Sequence, residues 1–200
     1  MTSHQPTTEE LRGDPRGMRE RMLAGDLYIA DDPENARVAL HAMRTIAAYQ
    51  AAVLADDPQA ARTQLVALLG SVGEGVFVKP PLAVDFGEHL HIGDRTFINS
   101  GLTALDVATI TIGADCQIGT NVQLLTPTHP LDADLRRDKW EAAQPIAIGD
   151  NVWLGGGVIV CPGVTIGANT VVGAGSVVTR DLPDGVLAVG SPARVVRQIA

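Results

Sequence analysis

Residues 148–178 read IGDNVW LGGGVI VCPGVT IGANTV VGAGSV V, and this stretch decides the fold. Ile148, Leu154, Val160, Ile166, Val172 and Val178 recur at every sixth position without a break. A helix places its apolar residues near every 3.6 positions, and a half-buried strand alternates, so neither accounts for this period. A short fixed period of this kind marks a stacked repeat, in which each unit buries itself against the next.

The same beat runs earlier, through Ile112, Ile118 and Leu124, and more weakly through Ile92 and Ile98. The two runs are in phase, because Ile112 and Ile148 lie a multiple of six apart. Four positions after the aliphatic comes a small or β-branched residue: Cys116, Val122, Val152, Val158, Val164, Thr170 and Ser176. Glycine follows the aliphatic at Gly113, Gly119, Gly149, Gly155, Gly167 and Gly173. That placement suits tight corners, where the chain bends at little steric cost. A large side chain on each face and a small one at each corner fill a narrow prism. The expected fold is therefore mainly β, a parallel β-helix with three hexapeptides per coil and coils about 4.8 Å apart. The period leaves the hand open, although parallel crossovers are nearly always right-handed. A Gly- and Val-rich sandwich would need six in-phase aliphatics, each with a small partner, by coincidence.

Composition narrows the rest. Hydrophobic residues make up 46% of the chain, ample for a core, and aromatics only 4%, which suits a prism too thin for rings. The net charge is −8 with no Lys/Arg block, which argues against nucleic acid as a partner. No apolar stretch reaches membrane-spanning length. The opening MTSHQPTTEELRGD has no apolar segment of the signal-peptide kind, so the cytoplasm is the expected location. Cys116 and Cys161 lack metal-ligand spacing and fall inside the repeat, where a small apolar residue packs well.

Four regions follow. Residues 1–14 are polar and expected to be disordered. Residues 15–70 read as helical: Met18, Met22 and Leu23 form a short apolar face ended by Gly25. Asp32-Pro33 and Asp57-Pro58 each read as an N-cap followed by Pro at the first helical position. Residues 71–187 carry the repeat, interrupted at 126–145 by TPTHPLDADLRRDKWEAAQP, which has no hexapeptide pattern and must leave the coil as a loop. Long loops in compact folds are commonly functional. Residues 188–200 form a tail.

These features together resemble the maltose and galactoside O-acetyltransferases, a hexapeptide-repeat family that includes the sugar-modifying nodulation acetyltransferases. The likeness runs from about Met18 to Ile199. Met22-Leu23-Ala24-Gly25-Asp26-Leu27-Tyr28 looks like the family's N-terminal helical segment. His91-Ile92-Gly93 and Phe97-Ile98-Asn99 look like its first coil, and Thr128-His129-Pro130 like its catalytic loop. Asn151-Val152-Trp153-Leu154-Gly155-Gly156, Gly173-Ala174-Gly175-Ser176-Val177-Val178-Thr179 and Gly190-Ser191-Pro192-Ala193-Arg194 are similar to its cofactor-binding segments. Thr179-Arg180 stands where the family often has Thr-Lys, which keeps the charge. Residues 1–14 have no counterpart in the family pattern.

The resemblance implies a left-handed β-helix and transfer of an acetyl group from acetyl-CoA to a sugar hydroxyl, with no metal. An alcohol is a poor nucleophile at neutral pH, so a base of pKa near 7 helps, and His is the natural choice. His129 is the implied base, and Glu141 is a candidate partner for its second ring nitrogen. The amide of Gly156 is the implied donor to the oxyanion. Asn99 falls in the active-site cleft by resemblance. Asp106 and either Asp31 or Asp32 are candidates for acceptor hydroxyls. Arg180, Arg194 and Arg197 match the phosphates of coenzyme A, while Ala174 and Thr179 line its pantetheine arm. The family is trimeric, which implies a homotrimer with sites between subunits. Trp153 packs either at that boundary or against the arm.

Three rival functions have distinct signatures. Hexapeptide carbonic anhydrases gather three His around zinc, whereas His4, His41, His89, His91 and His129 show no such spacing. A non-catalytic scaffold has no need of His129 or Arg194. An acetyltransferase with another acceptor, such as serine, an antibiotic or a nucleotide sugar, shares the chemistry and differs only in the cleft.

Overall fold

The structure, a computed structural model, describes Leu11 and residues 13–199. Its first elements are α1 (Met18–Ala24), β1 (Tyr28–Ile29), α2 (Pro33–Leu54) and α3 (Pro58–Leu68). Helix α1 ends at Gly25, whose left-handed φ of 78° lets its N–H reach back to the carbonyls of Arg21 and Met22. Helices α2 and α3 start as Asp-Pro pairs allow. The Asp32 side chain accepts the Glu34 amide at 2.8 Å and Asp57 accepts that of Ala60 at 2.9 Å.

The column follows as successive coils. The first is β2 (Ser71–Val72), β3 (Phe77–Val78) and β4 (Leu82–Val84), and the second β5 (Leu90–Ile92), β6 (Phe97–Ile98) and β7 (Leu102–Leu105). The third is β8 (Ile110–Ile112), β9 (Gln117–Ile118) and β10 (Gln123–Leu125). The chain then departs through β11 (Pro127–Thr128), α4 (Ala133–Arg137) and β12 (Trp140–Ala143). It returns for β13 (Ile146–Ile148), β14 (Trp153–Leu154) and β15 (Ile159–Val160), then β16 (Thr165–Ile166), β17 (Val171–Val172) and β18 (Val177–Val178). A closing hairpin, β19 (Val186–Gly190) and β20 (Ala193–Gln198), ends the column.

Strands of equal rank stack in parallel into three sheets, which are the faces of a prism. The register keeps the periodic aliphatics in line: Ile92 pairs with Ile112, Ile112 with Ile148, and Ile148 with Ile166. Each of these is at most 3% exposed, and the small residues four positions on are equally buried. The buried hydroxyls are satisfied. Thr96 Oγ1 donates to the Gly113 carbonyl, and Thr170 Oγ1 to that of Pro183. Cys116 and Cys161 are both free thiols, and burial pushes the Cys116 thiol up, which leaves it unreactive.

The corners divide two tasks between neighbouring positions. The left-handed backbone falls three residues after the aliphatic, not at the glycine that follows it: Asp115, Asn121, Asn151 and Asn169 have φ between 53° and 59°. Asp and Asn tolerate that region. The glycines are required instead by close approach of coils. A Cβ at Gly119 would lie 2.6 Å from the Gly156 nitrogen, and one at Gly155 would lie 2.5 Å from that of Ala174.

The helical hairpin covers the open end of the first coil. Ala42, Tyr49, Leu65 and Leu68 join one apolar cluster with Val78 and Leu82, and the Tyr49 hydroxyl donates to the Val78 carbonyl. A stacked column needs such a cover, because its terminal coil has no neighbour. No helix of the described residues is long and apolar enough to cross a membrane. The expectation of disorder for residues 1–14 falls mostly outside the described residues. Of those described, Leu11 and Asp14 each offer a backbone carbonyl to Arg21.

Candidate active site

The excursion after β10 is built against the N-terminal segment. β12 pairs antiparallel with β11 on one side (Thr128 opposite Ala142) and with β1 on the other (Tyr28 opposite Glu141). The resulting three-stranded sheet lies beside a small apolar cluster of Met22, Tyr28, Val38, Phe86 and Val107. Residues that the sequence presents as a loop are thus held by two strands and a short helix.

Above that cluster opens a cavity of about 410 Å³, whose polar lining includes Tyr28, Asn35, Asp85, His129 and Glu141. A second cavity of about 530 Å³ extends it outward past Asp31, Arg136 and Lys139. Ala30, His129 and Glu141 line both, so the imidazole stands where the two spaces meet. His129 Nδ1 lies 3.4 Å from the main-chain oxygen of Trp140. With Nδ1 protonated toward that carbonyl, Nε2 keeps its lone pair and can take a proton. This corrects the expectation for Glu141: the ring's partner is a backbone carbonyl, and Glu141 is a neighbour on the cavity wall.

The carboxylates of the cleft are perturbed. Burial pushes the Asp85 carboxyl up to about 6, with further repulsion from Asp106 and Glu141. Burial also raises Glu141, against the attraction of His129. The Tyr28 phenol is raised by burial and by the negative field of Glu141 and Asp85. Such a wall accepts hydrogen bonds from hydroxyls and repels anions.

Asp106, expected among the acceptor contacts, lines neither cavity. It is fully buried, and its Oδ1 accepts the amides of Asp85 and Phe86 at 3.0 and 2.9 Å. Its Oδ2 accepts that of His89 at 3.2 Å. Its role is to shape the turn that carries Asp85. Between Asp31 and Asp32 the geometry distinguishes: Asp32 is committed to capping α2, and Asp31 lines the outer cavity. Sequence reasoning missed Asp85; the usable signal was an acidic residue flanked by Val84 and Phe86 at the end of a strand.

The remaining candidates lie elsewhere on the column. Asn99 follows β6 and is half-buried, its Oδ1 accepting the Ser100 amide at 2.8 Å. Gly156 is half-buried at the corner after β14, and its carbonyl accepts the Gly175 amide at 2.9 Å. Ala174 is exposed on the coil above, and Thr179 and Arg180 are exposed after β18. Arg194 pairs with Val189 and Arg197 with Leu187 on the closing hairpin, both exposed. None of these lines either cavity that holds His129. Among the described residues no group of three or more His, Cys, Asp or Glu is placed to hold a metal ion.

Comparison with known proteins adds independent findings. A family profile described as a maltose acetyltransferase hexapeptide capping motif matches residues 21–73, and one for bacterial transferase hexapeptides (six repeats) matches residues 145–180. Nodulation protein L of Rhizobium meliloti is 44% identical over 90% of this chain and 98% of its own. The crystal structure of a maltose O-acetyltransferase from Clostridium difficile superposes with a TM-score of 0.90 at 40% identity, covering 94% of this chain and 100% of that one. A galactoside acetyltransferase in complex with coenzyme A superposes with a TM-score of 0.86 at 36% identity, covering 92% of each.

Proposed function

The chain belongs to the maltose/galactoside O-acetyltransferase family of hexapeptide-repeat acyltransferases, and from that premise we propose that it acetylates a sugar hydroxyl from acetyl-CoA with His129 as general base. The observation that carries this reading is the place of His129 on the wall common to two cavities, with one ring nitrogen turned to a carbonyl.

The chemistry follows from those groups. His129 Nε2 takes the proton of the acceptor hydroxyl as its oxygen attacks the thioester carbonyl. The oxyanion that forms is held by the amide of Gly156. The C–S bond then breaks, and the departing thiolate recovers the proton from His129. No acyl-enzyme is needed, since both reactants are bound together.

The inner cavity suits a sugar. Asp85, Glu141 and Asn35 offer acceptors to its hydroxyls, and Phe86, Val107 and Met22 offer an apolar surface to its C–H face. Asp31 extends the acceptor site outward. The cofactor residues line neither cavity that holds His129, so in this reading a neighbouring protomer supplies them. In the resulting homotrimer His129 of one protomer faces Asn99, Gly156 and Ala174 of the next, and Thr179, Arg180, Arg194 and Arg197 hold coenzyme A. The exposed Phe77 and Trp153, 47% and 55% accessible on one face of the prism, fit such a contact. We further propose a cytoplasmic location, a compartment that supplies acetyl-CoA.

The test is thiol release from acetyl-CoA with a panel of maltose, glucose, galactosides and serine. Release that requires a sugar supports the proposal; release with serine and none of the sugars refutes the acceptor assignment.

A further inference from the structure

Arg21 is a charged side chain only 2% exposed, and the reaction as described gives it no task. Its guanidinium lies 5.5 Å from the centre of the Trp140 ring. Nη2 donates to the carbonyls of Leu11 and Asp14 at 2.5 and 3.0 Å, and Nε lies 3.6 Å from the Asp14 carboxylate. Nε and Nη1 make no hydrogen bond among the described residues. A buried cation with donors unpaired stabilises a fold poorly, and an apolar side chain of similar length does as well or better. The arrangement therefore points to a task other than stability.

Trp140 supplies that task. Its ring is 1% exposed, and it opens β12 directly after Lys139, whose φ is +71°. A non-glycine residue persists in that left-handed conformation only where the surroundings enforce it. The Trp140 carbonyl is the group that faces His129 Nδ1. One line of contacts thus runs from the Leu11 and Asp14 carbonyls through Arg21 and the Trp140 ring to the imidazole.

We propose that Arg21 is a positioning residue for His129: by clamping the Trp140 ring, it fixes the carbonyl that holds the imidazole in its Nδ1–H tautomer. This inference rests on the reading of His129 as the base. It is tested in the full-length protein by steady-state kinetics and by ¹⁵N spectra of the His129 ring, in wild type, Arg21→Met, Arg21→Gln and His129→Ala. The expected result for Arg21→Met is a kcat lowered about tenfold, with KM for both substrates within about twofold, as for a base displaced by a fraction of an ångström. Its ring spectrum is expected to show a mixture of tautomers in place of one. Arg21→Gln keeps donors for the Leu11 and Asp14 carbonyls but loses the charge over the ring; it is expected to shift the same way and carries the test if the Met variant does not fold. Wild-type kcat and a single wild-type tautomer in either folded variant overturn the inference even when His129→Ala is inactive. Full turnover by His129→Ala instead removes the base itself, and with it the positioning role.

Discussion

Asp106 Oδ1 accepts the backbone amide of Asp85 at 3.0 Å, and this bond sets the turn from which Asp85 faces the cleft. Two aspartates of similar appearance in the chain thus divide the work. One is a buried scaffold and the other a half-buried wall of the cavity.

Asp106→Ala leaves the amides of Asp85, Phe86 and His89 without their acceptor. An orphaned buried donor costs about 1–3 kcal/mol, so a loss on the order of 2–4 kcal/mol is expected by urea or thermal unfolding. A variant as stable as wild type, with only its acceptor KM raised, would return Asp106 to the acceptor site.

Asp85→Asn is expected to stabilise the fold near neutral pH while weakening acceptor binding. The folded carboxyl releases its proton at about 6 and the ordinary value is 3.8. Between these values the folded state holds a proton that the unfolded chain has lost. Stability is therefore full below about pH 4, falls as pH rises to about 6, and stays lowered above that. Burial and the charges of Asp106 and Glu141 are the cause. Removing the charge recovers on the order of 1–2 kcal/mol at pH 7 and flattens the profile between these limits. Equal stability of the two proteins at pH 7 contradicts this.

Arg194→Ala is expected to raise KM for acetyl-CoA several-fold and leave that for the acceptor unchanged. Arg194 is exposed on β20, and among the described residues its Nη1 donates to the carbonyl of Ala193. The effect shrinks as salt rises, since exposed charges are screened within about 8–10 Å at ordinary ionic strength. A larger effect on acceptor KM counts against the cofactor assignment.

The column was legible because its period is a direct consequence of geometry. One large residue per face and one small residue per corner must repeat when coils stack, and Ile148 to Val178 say so without help. The cleft was less legible because it joins distant segments. Tyr28 meets Glu141 only through the pairing of β1 with β12, and no local pattern announces a strand of two residues. Asp106 stood only as an acceptor candidate because an aspartate after a strand reads alike whether it faces water or three backbone amides. Asp32 before Pro33 was read as a helix cap, but the choice between Asp31 and Asp32 for the acceptor stayed open, since the sequence does not show which of them lines a cavity. The glycines after the aliphatics were read as easing tight corners, and the structure adds that close approach of coils excludes a Cβ there.

The central claim is that His129 carries the proton between the acceptor and the leaving thiolate. Thiol release from acetyl-CoA by His129→Ala, compared with wild type at saturating acceptor, measures this directly. A folded variant whose kcat is lowered about 10²–10⁴-fold, with both KM values little changed, is the predicted result. Turnover within a few-fold of wild type would contradict it.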